Sequence, residues 1–126
     1  MLAVRDNRKL YDAAVQRLSE AFAGRERPFC FQDVAFAVKC IVETLPVKRA
    51  YLFGSYARGE QKASSDVDVF LIPDHEFSFS DRTRIHMALE HCLGLQSDVL
   101  TTLNGCKSRF VQSVKRDAVK VYDRGL

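Results

Sequence analysis

Apolar residues recur every three or four positions in several stretches of the chain, which is the spacing of one face of an α-helix. In the first stretch the apolar positions are Leu10, Ala14, Leu18 and Phe22, widened by Tyr11 and Val15. Asp6 or Asn7 can cap this helix, and Gly24 can end it. The pattern predicts an N-terminal amphipathic helix that packs through its apolar face.

Two more helices follow the same spacing. The second is predicted over residues 33–45 with Asp33 as N-cap, and the third begins at Ser80 or Asp81 and ends at Gly94. Their predicted buried positions are Val34, Val38, Ile41, Val42 and Leu45 in the second and Ile85, Ala88, Leu89 and Cys92 in the third. A last helix is predicted around Phe110, Val111 and Val114.

Shorter apolar runs predict β-strands between these helices. The runs are residues 50–53, 67–72, 95–102 and a short extended segment at 119–122. The first two are apolar on both faces, which predicts central positions in a sheet. The order of elements indicates an α+β fold with a mixed β-sheet and helices packed against it. No glycine pattern of a dinucleotide fold or a P-loop occurs.

Composition and charge keep this picture simple. The chain has 126 residues, enough for a single domain over 1–126, and its net charge of +3 is too small to favour nucleic acid as a partner. Cys30, Cys40, Cys92 and Cys106 form no metal-binding or disulfide pattern and predict reduced, mostly buried thiols. Charged residues interrupt every long apolar stretch and occupy the start of the chain, so we expect a cytoplasmic protein without a membrane span.

The sharpest chemical signal is a Gly-Ser turn followed by two aspartates. Gly54 and Ser55 end the strand at 50–53, and Asp66 and Asp68 lie at the start of the strand at 67–72. Residues two apart on a strand point to the same face. Two carboxylates on one face repel each other, so their presence indicates a cation, and Mg²⁺ is the ion that suits oxygen ligands.

The turn itself has the features of a phosphate site. Gly54 allows backbone N–H groups to approach phosphate oxygens, the Ser55 hydroxyl is a further donor, and a helix that begins there would point its positive end at the anion. Arg58 is a candidate for a secondary phosphate contact or a contact with an acidic partner. An ion pair of Arg58 with Asp66 or Glu60 is an equally good interpretation.

The pattern G-S-x10-D-x-D, formed by Gly54, Ser55, Asp66 and Asp68, resembles the minimal nucleotidyltransferases of the DNA polymerase beta-like superfamily. These are the antitoxin partners in HEPN-MNT toxin-antitoxin modules. The likeness extends in order of elements over about residues 30–124. Residues 1–27 would then be a helical extension of the nucleotidyltransferase domain.

The resemblance implies an enzyme that transfers AMP from ATP to a tyrosine hydroxyl of a cognate HEPN toxin. Two Mg²⁺ ions, with Mn²⁺ as a substitute, would be held by Asp66, Asp68 and a third carboxylate from an adjacent strand, for which Asp98 is the candidate. Gly54, Ser55 and Arg58 would hold the phosphates. Lys107, Arg109 and Tyr122 are candidate contacts with the partner.

Other interpretations stay open from the residues alone. Asp66 and Asp68 could lie on a solvated strand edge, and Asp98 could be a surface residue at a strand entry. His75, His86 and His91 are not spaced as a metal set with the aspartates. In function, the alternatives are a non-catalytic antitoxin that occludes its partner and nucleotidyl transfer to a small molecule or to RNA.

Overall fold

The computed structural model describes residues 8–125 as five helices and four strands. The helices are α1 (Arg8–Phe22), α2 (Phe31–Val42), α3 (Ser55–Arg58), α4 (Phe79–Leu93) and α5 (Ser108–Asp117). The strands are β1 (Val47–Phe53), β2 (Val67–Pro73), β3 (Ser97–Leu100) and β4 (Val119–Asp123). Every element expected from the hydrophobic pattern is present, with shifted ends.

The strands form one mixed sheet in the order β3-β2-β1-β4. β1 pairs antiparallel with β2 and β4, whereas β2 and β3 are parallel. The expected α+β class and mixed sheet are therefore confirmed, and so are the central positions of β1 and β2. Their apolar side chains on both faces are typical of strands with a neighbour on each side.

The main core lies on one face of the sheet, which α2 and α4 cover, and α1 packs on these two helices. Side chains of alternate strand residues enter this core because the side-chain period of a strand is two. Ala50 and Leu52 of β1 and Val67, Val69 and Leu71 of β2 have no exposed surface. The residues between them point to the opposite face, called the open face below, which is covered only in part by α5.

The first turns of α2 and α4 differ from the sequence prediction. α2 begins after Cys30, and α4 begins after Ser78, so Asp33, Ser80 and Asp81 were wrong as N-caps. Asp33 and Asp81 occupy the third helical position and accept hydrogen bonds from the backbone N–H of Cys30 at 3.4 Å and of Ser78 at 2.9 Å. An acidic side chain satisfies the same helix end from the third position as from the cap, which made the two registers hard to distinguish.

Other element ends moved by a few residues. α2 ends at Val42 and β3 spans only Ser97–Leu100, shorter than predicted, whereas β1 starts three residues earlier than expected. In α1 the predicted stripe is buried at Ala14, Leu18 and Phe22, but Leu10 is half exposed. The predicted caps Asp6 and Asn7 lie outside the described residues. Of the four cysteines, which are all free, Cys40 and Cys92 are buried and Cys30 and Cys106 are exposed.

Within residues 8–125, no helix has both the length and the apolar character needed to cross a membrane.

Candidate active site

The turn after β1 takes a conformation that only glycine adopts readily. Gly54 has φ 75° and ψ −151°, and α3 begins directly after it at Ser55. The first N–H groups of a helix have no partner within the helix, so the backbone of this turn offers donors to a ligand. The helix predicted to start at the Gly-Ser turn is confirmed, although it is a single turn long.

Gly54 also lies against the carboxylate of Asp68. A Cβ atom at Gly54 would overlap Asp68 Oδ2 and would lie 3.1 Å from Cγ. The absence of a side chain at position 54 therefore brings the turn and the carboxylate together. Because Phe53 pairs with Asp68 in the β1–β2 ladder, the register of the sheet fixes this contact.

The parallel ladder between β2 and β3 places Asp98 beside Asp68. Asp68 and Asp98 are register partners, and paired strands lie about 4.8 Å apart. Asp68 is half-buried, whereas Asp98 is exposed. Asp66 is also exposed and immediately precedes β2, so it is not part of the strand itself.

These three carboxylates interact electrostatically. The pKa of Asp68 is raised from 3.8 to about 6, mainly by burial and then by the charges of Asp98 and Asp66. Arg58 acts in the opposite direction but more weakly. A carboxylate with this pKa is held in an environment that is short of positive charge.

The chemistry of this donor set fits a hard divalent cation, which would relieve the repulsion around Asp68. In the part of the chain that the structure describes, however, no three histidine, cysteine, aspartate or glutamate side chains converge as a ready metal site. Asp68 and Asp98 are adjacent in the sheet, and Asp66 approaches from the preceding loop. The assignment of the three carboxylates to a metal stays a prediction.

Arg58 forms ion pairs at the end of α3. Its Nε donates to Glu60 Oε1 at 2.9 Å and its Nη1 to Asp117 Oδ2 at 3.1 Å. The pair with Glu60 was one of the two interpretations of Arg58, and the partner Asp117 comes from α5, 59 residues away in sequence. The expected alternative partner Asp66 does not pair with Arg58. A role of Arg58 toward phosphate stays a prediction.

The histidines lie away from these carboxylates in the hydrogen-bond pattern. His86 Nδ1 is 2.6 Å from Ser97 Oγ, a contact that joins α4 to β3, and His75 and His91 are exposed. A role as a surface or helix-face residue, as expected from sequence, agrees with these positions.

Sequence reasoning missed an apolar shelf beside the carboxylates on the open face. Tyr51 and Phe70 form a tilted ring pair, and Phe53 contacts Phe110 of α5 edge to face, with centroids 6.1 Å apart. A cavity of about 360 Å³ is lined by Tyr51 and Phe70 of the sheet and by Val114 of α5. The signal was available in the sequence. Every second residue of β1 and β2 points to the open face, and Tyr51, Phe53, Phe70 and Ile72 are among these residues.

Sequence reasoning also passed over Tyr56, which lies inside the motif. Its side chain is 1% exposed, and its hydroxyl is buried without a hydrogen-bond partner. Burial is the largest cause of a raised pKa at this hydroxyl. Tyr56 therefore anchors α3 against the core and positions the turn before it.

Comparison with known proteins gives a family match. A family model described as polymerase beta, nucleotidyltransferase, matches residues 37–125, which include the Gly-Ser turn and all three carboxylates. A candidate protein adenylyltransferase of Methanocaldococcus jannaschii is 49% identical over 55 residues, which cover 44% of this chain and 59% of that protein.

Two further matches cover a larger part of the protein that is compared. The protein adenylyltransferase MntA of Thermococcus cleftensis is 35% identical over 79 residues, 63% of this chain and 79% of that protein. The solved structure of a candidate minimal nucleotidyltransferase superimposes with a TM-score of 0.56 at 26% identity, over 75% of this chain and 98% of that one.

Proposed function

Because the chain belongs to the polymerase beta nucleotidyltransferase family, we propose that it transfers AMP from ATP to a tyrosine hydroxyl of a partner protein of the HEPN toxin type. The acceptor hydroxyl would attack the α-phosphorus, the bond to the pyrophosphate oxygen would break, and pyrophosphate would leave. The hydroxyl proton would pass to a neighbouring carboxylate or to solvent. Positioning and charge neutralisation are the main contributions of a protein to this reaction.

The observation that carries the proposal is the position of Asp68. Its carboxylate lies between the backbone of Gly54 and the strand that bears Asp98, so the donors proposed for phosphate would lie beside the ligands proposed for a cation. Gly54 and the Ser55 hydroxyl would bind phosphate oxygens. The triphosphate would thereby be oriented with its α-phosphorus toward the open face, where an acceptor can approach.

Asp66, Asp68 and Asp98 would hold Mg²⁺ in this proposal. Bound Mg²⁺ would supply charge neutralisation for the triphosphate and for departing pyrophosphate. The raised pKa of Asp68 supports this role, because a carboxylate that burial and like charges disfavour gains most from a nearby cation. Arg58, with a guanidinium shared between Glu60 and Asp117 at the end of α3, would contact an outer phosphate.

The choice of acceptor rests on similarity. The proteins of Methanocaldococcus jannaschii and Thermococcus cleftensis carry the name protein adenylyltransferase, and the motif resembles that of antitoxins in HEPN-MNT modules. A protein acceptor also agrees with the small size of the described fold, which has a shelf beside the carboxylates but no second domain within residues 8–125.

The proposal is tested by incubating the purified chain with labelled ATP, Mg²⁺ and a HEPN-type protein encoded beside it. The partner should gain one or more AMP masses on tyrosine in intact-protein and peptide mass spectrometry. Asp68→Asn should abolish the gain, whereas Asp12→Asn on the exposed surface of α1 should leave it unchanged.

Neutralisation of the partner is a separate readout. Transfer predicts that Asp68→Asn loses protection against the partner together with the AMP mass. If Asp68→Asn neutralises the partner as well as the unmodified chain does, with no mass change in either case, the occlusion interpretation replaces enzymatic transfer.

A further inference from the structure

A polar cavity lies at the end of the sheet opposite Asp68 and Asp98. It has a volume of about 290 Å³ and is lined by Lys48, Arg49, Asp74, Asp123 and Arg124. The cavity, called the Arg49 pocket below, shares no lining residue with the apolar shelf or with the Asp68 site. It therefore needs its own explanation.

The guanidinium of Arg49 has a donor that no group within residues 8–125 satisfies. Its Nε is buried without a hydrogen-bond partner, and the side chain forms no ion pair within the described residues. A buried donor of a charged group is expensive to leave unpaired, so such an atom marks a place where a partner is missing. Neighbouring Lys48 is exposed and also has no ion-pair partner in the described part of the chain.

The two carboxylates of the pocket are already engaged by other cations. Asp74 pairs with Arg124, and Asp123 accepts hydrogen bonds from Lys120 Nζ at 2.7 Å and from the Gly125 N–H at 2.9 Å. Asp123 attracts Arg49 through charge, but it accepts no hydrogen bond from it. The unmatched charge in the pocket is therefore positive, which favours an anion as its ligand.

The register of the sheet relates this pocket to the Asp68 site. Arg49 pairs with Ile72 near one end of the β1–β2 ladder, and Phe53 pairs with Asp68 at the other end. Arg49, Tyr51 and Phe53 alternate with the core residues and share the open face. Ile72 lies four positions after Asp68 on the same strand, so the two sites lie about 13 Å apart with the apolar shelf between them.

We propose that the Arg49 pocket binds a carboxylate side chain of the protein acceptor, so that an acidic residue is anchored at one end of the open face while the modified hydroxyl reaches the Asp68 site at the other. The inference rests on the proposed function, in which the acceptor is a protein, its hydroxyl is modified at the Asp68 site and phosphates bind at Gly54. The phosphates bound at Gly54 are too distant to enter this pocket, so the anion comes from another group.

The length of the open face sets the spacing of the acceptor's residues. An extended segment rises about 3.3 Å per residue, so a tyrosine and an acidic residue four positions apart would span about 13 Å. The residues between them would cross the shelf of Tyr51 and Phe70. An acidic residue at this spacing would select the segment, and the carboxylates at the other end would disfavour a second acidic group there.

The test uses two fluorescein-labelled octapeptides, which contain one tyrosine and, four positions away, either glutamate or glutamine. Binding is measured by fluorescence anisotropy without nucleotide. The unmodified chain should bind the glutamate peptide about tenfold more tightly than the glutamine peptide, because a hydrogen bond to a charged group is lost in the second. Arg49→Gln should remove this preference, and Lys39→Gln, an equal charge loss on the exposed side of α2, should retain it.

Stability measurements exclude a structural effect of the substitution. Arg49→Gln should melt within a few degrees of the unmodified chain, because removal of a buried donor without a partner offsets the lost attraction between Arg49 and Asp123. If Arg49→Gln fails to fold, Lys48→Gln is the second variant, since this exposed side chain can weaken the preference without disturbing the core. Arg49→Lys, which keeps the charge, should keep part of the preference.

Three outcomes would overturn the proposal. One is an equal affinity of the unmodified chain for both peptides, and another is a preference that survives in both Arg49→Gln and Lys48→Gln. The third is calorimetric binding of inorganic phosphate at Arg49 without a preference for the glutamate peptide, which would assign the pocket to a free phosphate. Since no nucleotide is present, failure of AMP transfer leaves this result unaffected, and the two proposals fail separately.

Discussion

The two faces of strand β2 differ in burial and in charge. Val67, Val69 and Leu71 face the helices and have no exposed surface. Asp68, Phe70 and Ile72 alternate with them along the same strand and are half-buried on the open face. One face is a close-packed core, and the other carries a carboxylate with a raised pKa beside aromatic rings.

Neighbouring residues of β2 therefore have different roles, because one faces the packed core and the next faces the candidate site. The helix-side residues gain free energy from burial, whereas the Asp68 carboxylate costs free energy when it is ionised without a cation. A substitution on β2 should therefore affect folding or function according to its face. Each prediction below tests this separation, from the largest expected effect to the smallest.

The largest effect is expected on the helix side. Leu71→Ala should lower the free energy of unfolding by about 3 to 4 kcal/mol, because it leaves a cavity in a fully buried site. The adjacent Ile72→Ala on the open face should cost less than about 1.5 kcal/mol, because part of this side chain is already exposed. Urea unfolding of both variants measures the difference, and equal losses would remove the distinction between the faces.

Gly54→Ala should be the most damaging small change near the open face. The added methyl group adopts an unfavourable positive φ and displaces the Asp68 carboxylate, for a combined cost of about 2 to 3 kcal/mol and loss of nucleotide use. Gly105→Ala is the matched control, since its φ is +81° but nothing lies within 4 Å of the new atom. The control should cost only about 1 kcal/mol in thermal unfolding and keep nucleotide use. Equal effects of the two variants would mean that the contact with Asp68 is unimportant.

The pH dependence of stability should carry a mark of Asp68. Its pKa is about 6 in the folded chain and 3.8 ordinarily, so the folded state holds this proton more tightly than the unfolded state. Stability should therefore fall as pH rises from about 4 to 6 and stay lower above, by about 1 to 2 kcal/mol after allowance for partial exposure. Asp68→Asn should remove this loss in denaturation curves recorded across the range.

Asp33, in the first turn of α2, should affect the pH dependence of stability with the opposite sign. Burial acts to raise its pKa, but the hydrogen bonds from Cys30 and Arg25 outweigh burial and lower it. The ionised form therefore stabilises the fold, and Asp33→Asn should lower stability at neutral pH but not in acid. If both substitutions changed stability with the same sign, the electrostatic difference between the faces would be wrong.

The smallest effect is expected at Arg58. Arg58→Gln should lower AMP transfer by less than about tenfold, because the contacts of an exposed charge are weak. Asp117→Asn breaks one of the same ion pairs from the α5 side and should leave transfer nearly unchanged. Equal losses in the two variants, measured as initial rates, would indicate that the ion pair matters and not a contact of Arg58 with phosphate.

The sequence was sufficient for the order of elements and the class of fold. Hydrophobic periodicity located the buried stripes of α2 and α4, because burial and period are directly linked. It was less accurate at helix starts, where Asp33 and Asp81 lie at the third position instead of the cap. The short length of β3 was also beyond the pattern, since Thr101 and Thr102, which favour strands, follow the last paired residue Leu100.

The motif of the candidate site lies within one short stretch of sequence, whereas the surroundings of these residues come from segments distant in sequence. The sequence pattern singled out Gly54, Ser55 and Asp68 at fixed spacing, and the resemblance directed attention to Asp98, which the sheet register then placed beside Asp68. The ion pair of Arg58 with Asp117 and the orphaned Nε of Arg49 depend on contacts between distant segments. Such contacts follow from tertiary packing and have no signature in the sequence.

The most direct test of the account measures how Mg²⁺ and ATP change the melting temperature of the unmodified chain and of Asp68→Asn at pH 7.5. The account predicts that Asp68→Asn melts higher than the unmodified chain without ligand, because the unfavourable charge is gone. On addition of Mg²⁺ and ATP together, the unmodified chain should gain several degrees and Asp68→Asn should gain little. An equal gain in both proteins would contradict the claim that the Asp68 carboxylate lowers the stability of the free protein and is needed for nucleotide binding.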